Sequence, residues 1–280
     1  EVKAALESID TLQAYMDANP EASVFGVADY DYIRNFLFQL YQDEIVDPDG
    51  KIDQARLVQL LELESKISVN ARAAEFEGEE YNTSYEYAPG PFNNIMGAGI
   101  MKYPDAVSTE EISSVQNMML PYAMMRELNV KPSAVQNMYN PVGVVGINES
   151  SGVKDLAEDF VKYLFSEEIQ SAQLDDGFPV MESAMKGMAA EVDSEYANSF
   201  SMMSSTTIGD DTVEISATYP TVEEVDHLME LGHSLTKPVN QDRIVWNIYQ
   251  ETTDKYLEGS IDATKAAETI AQKVDTYLAE

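Results

Sequence analysis

Tyrosine is the residue type in this chain best suited to holding a ligand: there are 16 tyrosines against one tryptophan. A tyrosine offers a flat apolar face and a hydroxyl. That pair can stack on the C–H side of a pyranose while polar neighbours bind its hydroxyls. Three places concentrate such groups. Asp29-Tyr30-Asp31-Tyr32 alternates acid and ring. Tyr81, Tyr85, Tyr87 and Phe92 lie in a stretch rich in acid, proline and glycine, and Tyr139-Asn140 directly precedes an apolar run. Tyr30, Tyr32, Tyr85, Tyr87, Phe92, Tyr139 and Asn140 are therefore the candidate ligand-binding residues. The competing reading is a loop anchor or partial core, and for any single tyrosine it is the stronger one.

Other residues fall short of the chemistry they suggest. Asp47-Pro48-Asp49-Gly50 sits between two helical patterns and invites a calcium test. With Gly50 as the sixth residue of an EF-hand loop, however, Ile45 stands first and Arg56 last, where acids are required. A β-turn or helix connection is expected instead. Gly97-Ala98-Gly99 opens like a dinucleotide loop, but Lys102 occupies the third glycine position. His227 and His233 are six apart, on different faces of a helix, unlike an i, i+4 zinc pair. There is no G-x-S-x-G, and any serine triad would need one of these two histidines. Met181, Met185 and Met188 form a helical stripe that reads as core filling, and Trp246 does likewise. No catalytic residue, metal or cofactor is expected, and the chain is not read as an enzyme.

Fifty acidic residues against 17 basic ones give a formal charge of −33. Such a surface repels phosphate backbones and anionic lipids, so nucleic-acid binding is excluded. Otherwise the acidity reads as solubility. The 280 residues, 44% apolar, suffice for one large or two modest cores. Without cysteine, disulfides and thiolate chemistry are ruled out. No apolar window approaches the ~18 residues of a membrane span.

The elements follow from periodicity. Val2, Leu6, Ile9 and Met16 share one face of an opening helix, and Val24–Val27 reads as a strand. Ile33, Phe36, Leu37, Leu40 and Tyr41 mark a second helix. Leu57, Leu60, Leu61 and Ile67 mark a third. Residues 71–100 read as a long surface loop. Residues 101–140 read as short apolar pieces broken by Pro104, Pro121 and Pro132. SMMSSTTIGDD at 201–211 reads as irregular, ahead of a strand at Val213–Ala217.

Two stretches carry more. In the first, Val142–Ile147 reads as a short buried strand, and Ser150 or Ser151 as the N-cap of a helix. Val153, Leu156, Ala157, Phe160, Val161, Leu164 and Phe165 form that helix's buried stripe. Ser166 caps a second helix with Glu167 and Glu168 in its first turn, and Gly177 before Phe178-Pro179-Val180 ends it. In the second, Ile244, Val245, Ile248, Tyr249, Thr252 and Tyr256 form a helical stripe, and Gly259 stops it. Asp262 caps a terminal helix buried through Ala266, Ile270, Val274 and Tyr277 or Leu278.

The order strand, capped helix, "SEEIQ", "GFPV", followed by Tyr256, Gly259, Lys273 and a closing "YLAE", resembles the extracellular solute-binding proteins of bacterial ABC importers, family 1 type. The resemblance implies a helix-rich α/β fold of the type II periplasmic-binding-protein kind, two lobes with the first incomplete. The expected layout is second-lobe helices and loop over 1–100, a crossing segment over 101–145, and the remainder over 146–280. The implied function is non-covalent capture of a small solute, a sugar or oligosaccharide, for delivery to permease subunits. The implied location is extracellular or periplasmic. No signal peptide opens the chain, so the resemblance also implies a longer precursor, with membrane attachment only through an N-terminal lipid anchor. Rival readings are a secreted carbohydrate-active enzyme or accessory module, and a cell-surface structural domain.

Overall fold

Local rules place most helix ends in the computed structural model. It describes residues 2–19, 30–47, 49–76, 101, 112–130, 133–134, 136–141, 143–172, 177–192, 194–208, 211–239 and 242–279. The chain opens with two helices, α1 (Val2–Ala5) and α2 (Ile9–Ala18), rather than the single one expected. Ser8 separates them, because its hydroxyl accepts from Thr11 N–H and Thr11 reciprocates in a capping box. Then come α3 (Tyr30–Leu40), α4 (Gln42–Ile45) and α5 (Gln54–Phe76). Residues 71–76 thus extend a helix where a loop was expected.

Between α4 and α5 the predicted turn forms. The Asp47 carboxylate accepts from Asp49 and Lys51 N–H at 2.9 Å, and Val46 bridges to Ile52. Gly50 has φ +80°, and a Cβ there would lie 3.3 Å from Leu278. Asp53 then caps α5 through the N–H groups of Ala55 and Arg56.

The middle of the chain holds α6 (Met119–Leu128), β1 (Met138–Tyr139), α7 (Lys154–Leu164), α8 (Glu167–Gln170), α9 (Glu182–Glu191) and α10 (Glu195–Ser199). Pro121 does not break α6. It sits in the first turn, where N–H groups lack helical partners anyway. The stretch 201–208, expected to be irregular, is strand β2 (Ser201–Ile208), antiparallel to β3 (Asp211–Thr218) with Ile208 opposite Asp211. Gly209-Asp210 between two strands is a hairpin signal that the serine and threonine run obscured. The chain closes with α11 (Val222–Ser234), β4 (Lys237–Pro238), α12 (Arg243–Leu257) and α13 (Ala263–Leu278).

The described residues are helix-rich with small sheets, compatible with an α/β fold. Its main core joins the two ends of the chain: Leu12, Leu37, Leu57, Leu60, Tyr249 and Ile270 all meet there, fully buried. Each such leucine contributes about 1.5–3 kcal/mol of burial. A second core packs α6 against β3 through Met119, Ala123, Ile215 and Ala217. A third packs α9 and α11 beneath the same α6 through Ala189, Val225 and Tyr122. Arg126 on α6 grips Glu224 on α11 at 2.8 Å, and Glu224 also completes the Thr221 capping box.

The stretch from 143 to 180 departs most from expectation. Residues 143–148 form no strand and are not buried: Val144 is 87% exposed and Val145 47%. Helix α7 starts at Lys154 with Val153 at its N-cap and no side-chain cap, although Ser151 Oγ accepts from Val153 N–H at 3.3 Å. None of its residues is buried, and Leu156 and Phe160 are 68% and 60% exposed. The physical reason is the absence, among the described residues, of a sheet against which this strand and stripe could close. Ser166 does cap α8, but that helix ends at Gln170, well before Gly177, whose φ is +84°.

The C-terminal reading holds in outline, although Ile244 on the expected α12 stripe is 47% exposed. Asp242 caps α12, Gly259 takes φ +75° after it, and Asp262 caps α13 by accepting Lys265 N–H at 2.7 Å. Ala266, Ile270 and Val274 are buried as expected, while Leu278 is 55% exposed. Trp246 packs in the main core, and the Met181, Met185 and Met188 stripe is half-buried. The Val24–Val27 strand lies outside the described residues.

Candidate functional site

Of the seven proposed ligand residues, the structure describes the side chains of Tyr139 and Asn140. Tyr30 and Tyr32 open α3 rather than lying in a loop, and their side chains are outside the description. Tyr85, Tyr87 and Phe92 lie outside the described residues altogether.

Tyr139 is held by an unusual local frame. Gln136 and Asn137 both have φ +52°, a left-handed conformation that costs non-glycine residues about 1 kcal/mol or more each. The Gln136 amide offsets this by donating to the Leu6 and Glu7 carbonyls at 3.0 Å, at the break between α1 and α2. The next residues form β1, paired in parallel with β4, Met138 opposite Lys237 and Tyr139 opposite Pro238. Proline has no N–H, so bonds come from its neighbours: Lys237 donates to the Asn137 carbonyl and Val239 to that of Tyr139. Lys237 Nζ also reaches Asp43 at 2.7 Å. Met138 points into the main core while Tyr139 stands 41% exposed, and Asn140 after it is exposed. A presented ring beside an amide can stack on and hydrogen-bond a polar, flat-faced solute.

A second constellation escaped the sequence reading. Glu64 is buried on α5, and its Oε1 accepts the Tyr249 hydroxyl of α12 at 2.6 Å. Burial pushes its carboxyl up to about 8, against the pull of the Tyr249 hydrogen bond and the Arg34 charge. Arg34 on α3, 1% exposed, donates to Asp254 at 2.7 Å and to the Gln250 carbonyl at 3.3 Å. Trp246 and Tyr249 stack beside it, and Phe38 packs against both at a tilt. The signal was present. Glu64 lies seven residues after Leu57, four after Leu60 and three after Leu61, squarely on the buried stripe.

No three metal-ligating side chains gather among the described residues, and both histidines lie on α11. No helix among them is long and apolar enough to cross a membrane. A shallow, open depression lined by Gln54, Glu268, Gln272 and Asp275 lies along α13 and includes none of the proposed tyrosines. The chain matches no protein-family model and no curated protein.

Proposed function

We propose that the chain belongs to a solute-binding component of an ABC importer and captures a sugar or oligosaccharide without covalent chemistry. The observation that carries this reading is the β1–β4 pair. The chain leaves the α6 core, runs through β1 against the main helical core, and turns back toward α9. It returns from α11 to α12 through β4, directly beside β1. Two passages lying side by side are compatible with a hinge between two bodies, where a few residues absorb the change in backbone angles.

In this reading the type II periplasmic-binding-protein fold closes about that neck. Tyr139 and Asn140 line the ligand's approach, with Tyr30 and Tyr32 contributing from the start of α3 and Tyr85, Tyr87 and Phe92 as further ligand residues. Affinity is set by how much better the closed form holds the solute. The partners are permease subunits, and the protein is extracellular or periplasmic.

A thermal-shift panel of sugars, oligosaccharides, peptides and polyamines on the protein tests it. A solute at 100 times its dissociation constant adds about 2.7 kcal/mol of stability. The expected outcome is a shift with a saccharide that weakens in Tyr139→Ala. A folded protein that responds to none of the panel would overturn the reading.

A further inference from the structure

Side chains take the carbonyls at the break between α1 and α2, where the end of a helix leaves acceptors without helical partners. That of Ala5 accepts the Thr11 hydroxyl at 3.0 Å, and that of Leu6 the buried Tyr41 hydroxyl at 3.4 Å. The Gln136 amide donates to both Leu6 and Glu7 at 3.0 Å, and an amide nitrogen has the two N–H groups this needs. These acceptors are firmly placed. Leu6 is 3% exposed in the main core, and the Ser8–Thr11 capping box fixes the residues after it.

A donor that reaches such a fixed point from 130 residues away fixes its own backbone in turn. Gln136 and Asn137 are both left-handed at φ +52°, which glycine adopts freely and glutamine only at a cost. In this conformation the Asn137 carbonyl accepts from Thr236 at 3.0 Å and from Lys237 at 3.1 Å, and the β1–β4 pair starts there. The pair is two residues long and includes Pro238, so it does little to set its own register. A shift of one residue would turn Tyr139 inward and Met138 outward. Met138 packs on the main core, yet the Tyr139 ring is apolar enough to take that place. The other ties, Lys3 to Ser133 and Lys237 to Asp43, lie at the surface and contribute little.

We infer that Gln136 is the positioning residue of the proposed solute contact: its amide holds residues 136–137 left-handed against the α1–α2 break, and so sets Met138 toward the core and Tyr139-Asn140 toward the solute. Its part in binding rests on the solute-binding reading above, whereas its hold on Tyr139 does not. The amide is spent on two carbonyls, so Gln136 acts through the backbone that follows it.

The test is fluorine NMR of the fluorotyrosine-labelled whole chain, in which the Tyr139 line is the one lost in Tyr139→Phe. Wild type, Gln136→Ala and Gln136→Gly are compared, together with their affinities for the sugars and oligosaccharides of the thermal-shift panel. Gln136 is half-buried and outside the main core, so both variants should keep the fold. Gln136→Ala removes the donors and keeps the strained conformation. Its Tyr139 line should shift or split, and saccharide affinity should fall about tenfold. Gln136→Gly removes donors and strain together, so line and affinity should return most of the way to wild type. An unmoved line in Gln136→Ala would overturn the positioning role, even where a saccharide binds. Equal displacement in Gln136→Ala and Gln136→Gly would overturn it too, because the amide would then not act through the left-handed backbone. A line that moves in the first variant and recovers in the second, in a protein that binds no saccharide, upholds the positioning and overturns the solute reading alone.

Discussion

Helices α7 and α13 carry apolar stripes of the same period, yet they end in opposite surroundings. α13 closes Ala266, Ile270 and Val274 against α5 and α12, all nearly inaccessible. α7 holds Leu156, Phe160 and Tyr163 in the open, on a helix with no buried residue. Both stretches support the proposed solute-binding reading, but among the described residues only the C-terminal one has its partner helices in place. A stripe records that a face is built to be covered. It does not record whether the covering layer is present.

The largest expected difference comes from the same substitution on the two sides. Leu60→Ala in the main core should cost about 2–5 kcal/mol of unfolding free energy. Leu156→Ala should stay within about 0.5 kcal/mol, as for other surface changes. Denaturant melts of both variants measure this. If Leu156→Ala costs as much as Leu60→Ala, α7 is covered in solution, and sedimentation would show whether a second copy covers it. With −33 charges on each chain, self-association must overcome strong repulsion. Hydrogen exchange sharpens the contrast: α7 amides should exchange well before those of α13, whose opening approaches the global free energy.

Caps give the next step down. Asp262→Ala removes a 2.7 Å bond that starts a buried helix and should cost about 1 kcal/mol. Ser166→Ala removes a 3.5 Å bond that starts a four-residue helix beside α7 and should cost distinctly less. Thermal melts of the two variants would rank them. Equal losses would mean that the region around α8 is as cooperative as the core.

What sequence could reveal divides along the same line. Asp262, Gly259, Ser166 and the Asp47–Gly50 turn were legible because a cap or turn is decided within a few residues. Most buried positions of α5, α12 and α13 were legible from periodicity, although Ile244 and Leu278 on the expected stripes are exposed. Burial of 143–165 was not, because it depends on a layer that the stripe cannot specify. Strand β2 was hidden because Ser204, Ser205, Thr206 and Thr207 give no apolar alternation, although Gly209-Asp210 marked its end. Glu64 was missed because a carboxylate counts as polar even where its spacing sets it inside. Of the candidate site, only Tyr139 and Asn140 can be placed with their side chains. Their presentation rests on the backbone of Gln136 and Asn137, which no residue pattern announced.

The smallest expected effect concerns how a cap is embedded. Asp242 caps α12 and also accepts the Tyr277 hydroxyl from α13 at 2.9 Å, so this cap is tied into the tertiary structure while that of Ser166 is local. Burial works to raise the Asp242 carboxyl. The N–H groups of Val245 and Ile244 and the Tyr277 hydroxyl outweigh it and hold the group below its ordinary value. A carboxylate depressed on folding adds stability above its unfolded value of 3.8, and that stability is lost as pH falls through the folded value. Tyr277→Phe removes one of the three bonds, so the acid limb of its stability curve should begin at slightly higher pH. At neutral pH the loss should be small, because the pair is solvent-exposed. Acid titrations followed by circular dichroism would resolve the shift. An acid limb unchanged from wild type would mean that the α12–α13 contact needs only its apolar face, leaving burial alone to separate α13 from α7.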